Sequence, residues 1–66
     1  MKYAVAKCSN GSFSIVSEWT DKEKAYSNFH STCTTLYNAS DVEHATVVVI
    51  DEKFTIYKME YIKYDE

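Results

Sequence analysis

The sequence has no proline, no arginine, a single glycine and no apolar run long enough to cross a bilayer. Each absence removes a class of protein. Without Pro, and with Gly only at position 11, the chain lacks the composition of a disordered linker or a low-complexity tract. It has two cysteines, Cys8 and Cys33, too few for a loop-rich disulfide scaffold. Those two and the histidines His30 and His44 are not spaced as zinc ligands are, so neither a metal nor another cofactor is expected. All basic residues are Lys and the net charge is −3. Arg makes the commonest base-specific contact, and binders of DNA or RNA carry basic patches, so this balance argues against nucleic-acid readout. The opening Met1-Lys2-Tyr3-Ala4-Val5-Ala6-Lys7 lacks the apolar core of a signal peptide. No stretch approaches the ~20 apolar residues of a membrane span. A cytoplasmic protein with no membrane partner is the expectation, and the sequons Asn10-Gly11-Ser12 and Asn38-Ala39-Ser40 then read as a turn and a helix exit.

What remains is a chain of 66 residues, 45% hydrophobic and 15% aromatic, which is one domain over residues 1–66. A domain near this size buries only about 60% of the surface its unfolded chain exposes, so its core is marginal unless something supplements it. Six of the ten acidic residues fall in short pairs (Asp41 and Glu43, Asp51 and Glu52, Asp65 and Glu66), as solvated turns and a frayed end would have them.

Residues 2–8 and 12–19 alternate, with Asn10-Gly11 between them. That dipeptide predicts a type I′ hairpin, whose two central residues both need positive φ. The pairing then sets Cys8 against Phe13, Ala6 against Ile15 and Ala4 against Ser17. One face carries Ala4, Ala6, Cys8, Phe13, Ile15 and Trp19, small on one strand and large on the other, and is assigned to the core beneath a helix. Tyr3, Val5, Lys7, Val16 and Glu18 take the opposite face.

Thr20-Asp21-Lys22-Glu23 fits a capping box, with Thr20 as N-cap. Ala25, Tyr26, Phe29, Cys33, Leu36 and Tyr37 recur at helical spacing, and the helix should end near Asn38. Its other face is neutral and polar (Ser27, Asn28, Ser31, Thr32, Thr34, Thr35), unlike the Lys and Glu of an ordinary solvated helix. Residues 45–50 are a β-branched strand, and 54–64 alternate with Tyr and Ile. The turn at Asp51-Glu52-Lys53 leaves two registers open: one groups Val47 and Val49 with Phe54 and Ile56, the other Val48 and Ile50 with them. Phe54 and Ile56 are expected inward, and Tyr57, Met59 and Tyr61 on the other side.

The fold class is therefore α+β: ββαββ, two antiparallel hairpins forming a four-stranded sheet with one helix packed on one face. A single helix covers one side only. The other side is expected to be an apolar, Tyr-rich contact surface, with Tyr3, Val16, Tyr57, Met59 and Tyr61 as its residues. The helix positions Asn28, Ser31 and Thr35 form a second candidate. A symmetric homodimer would cover the open face, and so would a different protein.

Chemistry has little to work with. Cys8 and Cys33 are both expected on the buried side, as free thiols acting as small hydrophobes. His30 and Cys33 are three apart on the helix, the minimum for a nucleophile and its base, but no orienting third group or oxyanion turn accompanies them. No catalytic residue is assigned. Tyr3, Tyr57, Tyr61 and Tyr64 with Lys2, Lys7, Lys58 and Lys63 could form a base-stacking platform for single strands; this is the alternative function, opposed by the charge balance.

Several stretches together resemble short uncharacterised proteins of gut Firmicutes and of their phages and prophages. They are Met1-Lys2-Tyr3, the helix from Ala25-Tyr26-Ser27-Asn28-Phe29-His30 through Cys33 to Leu36-Tyr37-Asn38, and Val47-Val48-Val49-Ile50-Asp51-Glu52 with the strand from Phe54 to Tyr61. The resemblance spans most of the chain and carries no catalytic residue. It implies a phage or mobile-element accessory protein that binds a partner in the host machinery. A stoichiometric inhibitor of a host defence complex, of the anti-CRISPR kind, is the specific function expected.

Overall fold

The computed structural model describes residues 2–63. Its elements run β1 (Tyr3–Ser9), β2 (Ser12–Trp19), α1 (Lys22–Asn38), β3 (Ala45–Asp51) and β4 (Ile56–Ile62). The strands form one antiparallel sheet in the order β2-β1-β3-β4, so the two hairpins meet along β1 and β3. This is the expected ββαββ architecture.

The first turn follows its residues. Asn10 has φ 51° and Gly11 φ 87°, the left-handed pair of a type I′ turn. Nothing lies within 4 Å of the position a Cβ would occupy on Gly11, so backbone conformation alone explains that glycine. Asn10 does a second job. Its Oδ1 accepts from the backbone N–H of Glu43 at 3.0 Å, its Nδ2 donates to the Asp41 carbonyl at 3.2 Å, and its own N–H donates to the His44 carbonyl at 3.1 Å. The turn thus holds the connection from α1 to β3.

The helix begins one residue later than the capping box predicts. Asp21 is the N-cap, and its carboxylate accepts from the Glu23 N–H at 2.9 Å. A charged acceptor is the stronger cap beside the positive end of the helix dipole. At the other end, the extended residue Ala39 returns its N–H to the Leu36 carbonyl. Asn38 closes the helix without adopting positive φ.

Ala25, Phe29, Cys33 and Leu36 are the buried face of α1, packed on Val5, Ala45, Val47, Val49 and Ile62, with Tyr3, Trp19, Tyr26 and Val42 around them. This reverses the expected assignment of faces. Val5 of β1 faces the helix, as do Tyr3 and Lys7 by alternation, while Ala4, Ala6 and Cys8 point the other way.

Two β-bulges complete the correction. On β2, Val16 is the extra residue: Val5 pairs with Ser17, but Ala6 pairs with Ile15. On β4, Tyr57 is extra: Val49 pairs with Lys58, but Ile50 pairs with Ile56. Val5 and Val49 are themselves cross-strand partners, so the bulges kink both edge strands at the same level of the sheet. Each bulge moves the residues on one side of it to the other face. Trp19 therefore lies with Tyr3 under the helix, and Ile56 shares the open face with Met59 and Tyr61. Bulged edges also discourage strand addition by another chain.

In the second hairpin, Val48, Ile50 and Ile56 share a face, while Phe54 joins neither. It occupies the loop with φ 63° and is 76% exposed. Asp51, buried on the helix side, organises that loop: its Oδ1 accepts from the Lys53 and Thr55 N–H groups at 2.8 and 2.9 Å, and its Oδ2 from the Tyr57 hydroxyl at 2.8 Å.

Candidate interaction surface

The sheet face away from α1 is built in three rows by the pairing of the four strands. One row runs Phe13, Cys8, Thr46, Tyr61; the next Ile15, Ala6, Val48, Met59; the third Glu18, Ala4, Ile50, Ile56. Phe13 is 64% exposed, Ile15 47%, Ile56 53%, Met59 44% and Tyr61 62%. Ala6 and Ile50 are buried by these neighbours yet belong to no part of the core beneath the helix. Glu18 is the one charged residue of the rows, and it pairs with Lys2 at 3.2 Å at the corner. The relief is uneven: Ala4, Ala6 and Cys8 form a low floor along β1, flanked by Phe13 and Ile15 on one side and the larger residues of β3 and β4 on the other.

The residues singled out from the sequence fall into three places. Met59 and Tyr61 are on this open face. Tyr3 and Tyr57 lie on the helix side, their rings edge to face with centroids 5.6 Å apart, and Lys22 Nζ is 5.9 Å from the Tyr57 ring. Their placement on the open face is thereby corrected; the bulge at Tyr57 and the inverted parity of β1 are the reasons. Val16, also on the helix side, joins Asn28, Ser31 and Thr35 with Lys7 in an open groove between β2 and α1. Asn28 is engaged within the fold: the Trp19 indole N–H donates to Ser17 Oγ at 2.7 Å, and Ser17 donates to Asn28 Oδ1 at 2.6 Å. Ser31 and Thr35 are exposed.

Sequence reasoning missed Phe13, Ile15 and Ile56 as surface residues because it placed them in the core. One signal for the correct parity was present. A central strand facing a helix favours a β-branched residue such as Val5 over alanine, whereas Ser14 alternating with Phe13 and Ile15 points the other way.

The other candidate groups are not drawn together. Cys33 is buried beneath the helix and Cys8 is half-buried on the open face, both as free thiols. Burial pushes the Cys33 thiol upward, and the Glu60 carboxylate adds to that shift. His30 is exposed on the outer side of α1, its ring against Phe29. The stacking platform is also dispersed. Tyr3 and Tyr57 are on the helix side, Lys58 Nζ sits 5.2 Å over Tyr26, and Lys63 donates to the Ala39 carbonyl. Tyr64, like the pair Asp65 and Glu66, lies outside the described residues. Among the described residues no group of three or more His, Cys, Asp or Glu could hold a metal ion, and no helix is long and apolar enough to cross a membrane.

Two further polar contacts set local charge. Hydrogen bonds from Thr55, Tyr57 and Lys53 hold the Asp51 carboxyl below the usual aspartate range, the Thr55 N–H contributing most, against an upward push from burial. Tyr37 donates to Glu60 Oε2 at 2.7 Å, joining the end of α1 to β4, and that bond raises the phenol's pKa.

No family model, curated protein or solved structure matches the chain.

Proposed function

We propose that the chain is a non-enzymatic protein-binding module whose working surface is the open sheet face centred on Ile15, Val48 and Met59. The carrying observation is that Phe13, Ile15, Ile56, Met59 and Tyr61 are all between 44% and 64% exposed on one continuous face. Scattered exposed hydrophobics are ordinary, but a contiguous patch of this extent on so small a protein marks a contact surface. The residues that could have supported catalysis point elsewhere: a solvent-facing His30 cannot activate a Cys33 thiol that is buried and poorly ionised.

The finer reading takes its setting from the resemblance to phage and prophage proteins: a stoichiometric inhibitor of a host defence complex. Its test is an interference or plaque assay in cells carrying such systems. Expression should restore infection, and Ile15→Lys should abolish the effect at equal protein level. No change in infection across the defence types tried would remove this reading. Loss of the effect through helix substitutions at Ser31 and Thr35, but not at Ile15, would move the surface to α1.

A further inference from the structure

We infer that the occupant of the open sheet face is a second copy of this chain, packed sheet against sheet about a two-fold axis. The inference rests on the proposed function in taking this face as the contact surface; with a second copy seated there, any other partner meets the dimer through its outward faces, and Ile15→Lys acts by splitting the dimer.

Area is the first argument. On side chains of roughly 150–250 Å2, the exposed parts of Phe13, Ile15, Ile56, Met59 and Tyr61 come to about 400–700 Å2 per chain. Two copies then bury about 800–1,400 Å2 in all, a range that brackets the roughly 1,000 Å2 a specific interface needs, before Val48 and Cys8 are counted. A sheet edge could not supply this, and both edges are bulged.

Charge is the second. A two-fold interface sets a patch against itself, so a patch of one sign repels its own copy. The chain carries net charge −3, yet among the described residues the interior of this face has no Asp, Glu, Lys or His. Glu18 is at the corner and already meets Lys2. The face is therefore one that tolerates itself, and it offers nothing to a partner recognised by charge.

Relief is the third. The floor of Ala4, Ala6 and Cys8 is flanked by the ridge of Phe13 and Ile15. A two-fold lets the ridge of each copy fill the floor of the other, both contacts forming together, at the spacing of about 10 Å usual for stacked sheets. The dimer also supplements a core that a chain of 66 residues leaves marginal. It turns the two Ser- and Thr-rich helix faces outward.

Sedimentation equilibrium on the purified protein, from low micromolar to near millimolar, tests this alongside Ile15→Lys and the outer-helix control Ser27→Lys. The wild type and Ser27→Lys should reach twice the chain mass, while Ile15→Lys stays at the chain mass with an unchanged far-UV circular dichroism spectrum. If Ile15→Lys does not fold, the wild type decides: the rate of Cys8 alkylation should fall as protein concentration rises through the dimerisation range. A wild type that remains at chain mass throughout, or an alkylation rate independent of concentration, overturns the inference. So does a dimer that a folded Ile15→Lys retains. A monomer that binds another protein, and loses it through Ile15→Lys, sinks the dimer while leaving the broader reading intact. A monomer whose partner binding survives Ile15→Lys sinks both.

Discussion

Cys8 and Cys33 lie on opposite sides of the sheet, Cys8 on the open face beside Phe13 and Cys33 under the helix. No intramolecular disulfide can join them without unfolding. In the dilute native protein, Cys8 should react with a thiol reagent and Cys33 should not, because Cys33 is both buried and poorly ionised. Mass spectrometry of the alkylated protein reads the site directly. Equal labelling of both thiols, or an oxidised monomer with a Cys8–Cys33 bond, would contradict the placement.

Asn10 is both a turn residue and a staple. Asn10→Gly keeps positive φ available but removes the contacts to Glu43 and Asp41. The expected loss is about 1 kcal/mol, the net worth of one or two modest hydrogen bonds. Urea denaturation should show a lower midpoint with an unchanged slope. No loss would mean that the α1–β3 connection is held by its own residues, Val42 among them.

Acid stability should depend on Asp51. Its folded-state pKa is depressed, chiefly by the Thr55 N–H and also by Tyr57 and Lys53. Its contribution is therefore complete above the ordinary aspartate value of about 4 and is lost as pH falls through the depressed value. Asp51→Asn should flatten the pH dependence of stability in that acid window. Tyr57→Phe, which removes one donor while keeping the ring beside Tyr3, should flatten it partly. Thermal melts between pH 2 and 7 check the sign: an Asp51→Asn profile parallel to the wild type would show the shift to be absent.

Phe54 holds a left-handed conformation that a bulky side chain adopts at a cost of about 1–2 kcal/mol, yet it is largely exposed. Little packing is lost on removing it. Phe54→Gly should stabilise the fold by up to about 1 kcal/mol, the strain relieved less the entropy that glycine adds to the unfolded chain. A destabilised variant would show that Phe54 is held by contacts.

The order of elements was legible in the sequence because it rests on short-range signals: Asn10-Gly11, the helical spacing of Phe29, Cys33 and Leu36, and the β-branched run of β3. The faces were not. Alternation along β1 divides its residues correctly but does not say which set meets the helix, and Ala4, Ala6 and Cys8 look like room for one. Alternation along β2 and β4 fails outright at Val16 and Tyr57, since a bulge leaves no mark in an apolar, aromatic strand. Of the sheet residues singled out, Met59 and Tyr61 lie beyond the bulge on the open face, whereas Tyr3, Val16 and Tyr57 were misplaced by parity or by the bulges themselves. The use of Asn10 as a staple and of Asn28 as an internal acceptor depends on contacts across the chain, which no local pattern carries.

The proposed contact surface exists only if the Val5 face is the core, and one comparison decides that. Val5→Lys and Ile15→Lys, prepared side by side at low micromolar concentration, should be measured by urea denaturation followed by circular dichroism. Val5 is fully buried under the helix and Ile15 is half exposed on the open face. An unpaired charge in the core costs about 3–5 kcal/mol, comparable with the whole stability of a small domain, so Val5→Lys should be unfolded without denaturant. Ile15→Lys should remain folded, with an unfolding free energy within about 0.5 kcal/mol of the monomeric wild type. An unfolded Ile15→Lys beside a folded Val5→Lys would return Phe13 and Ile15 to the core and remove the surface on which the account stands.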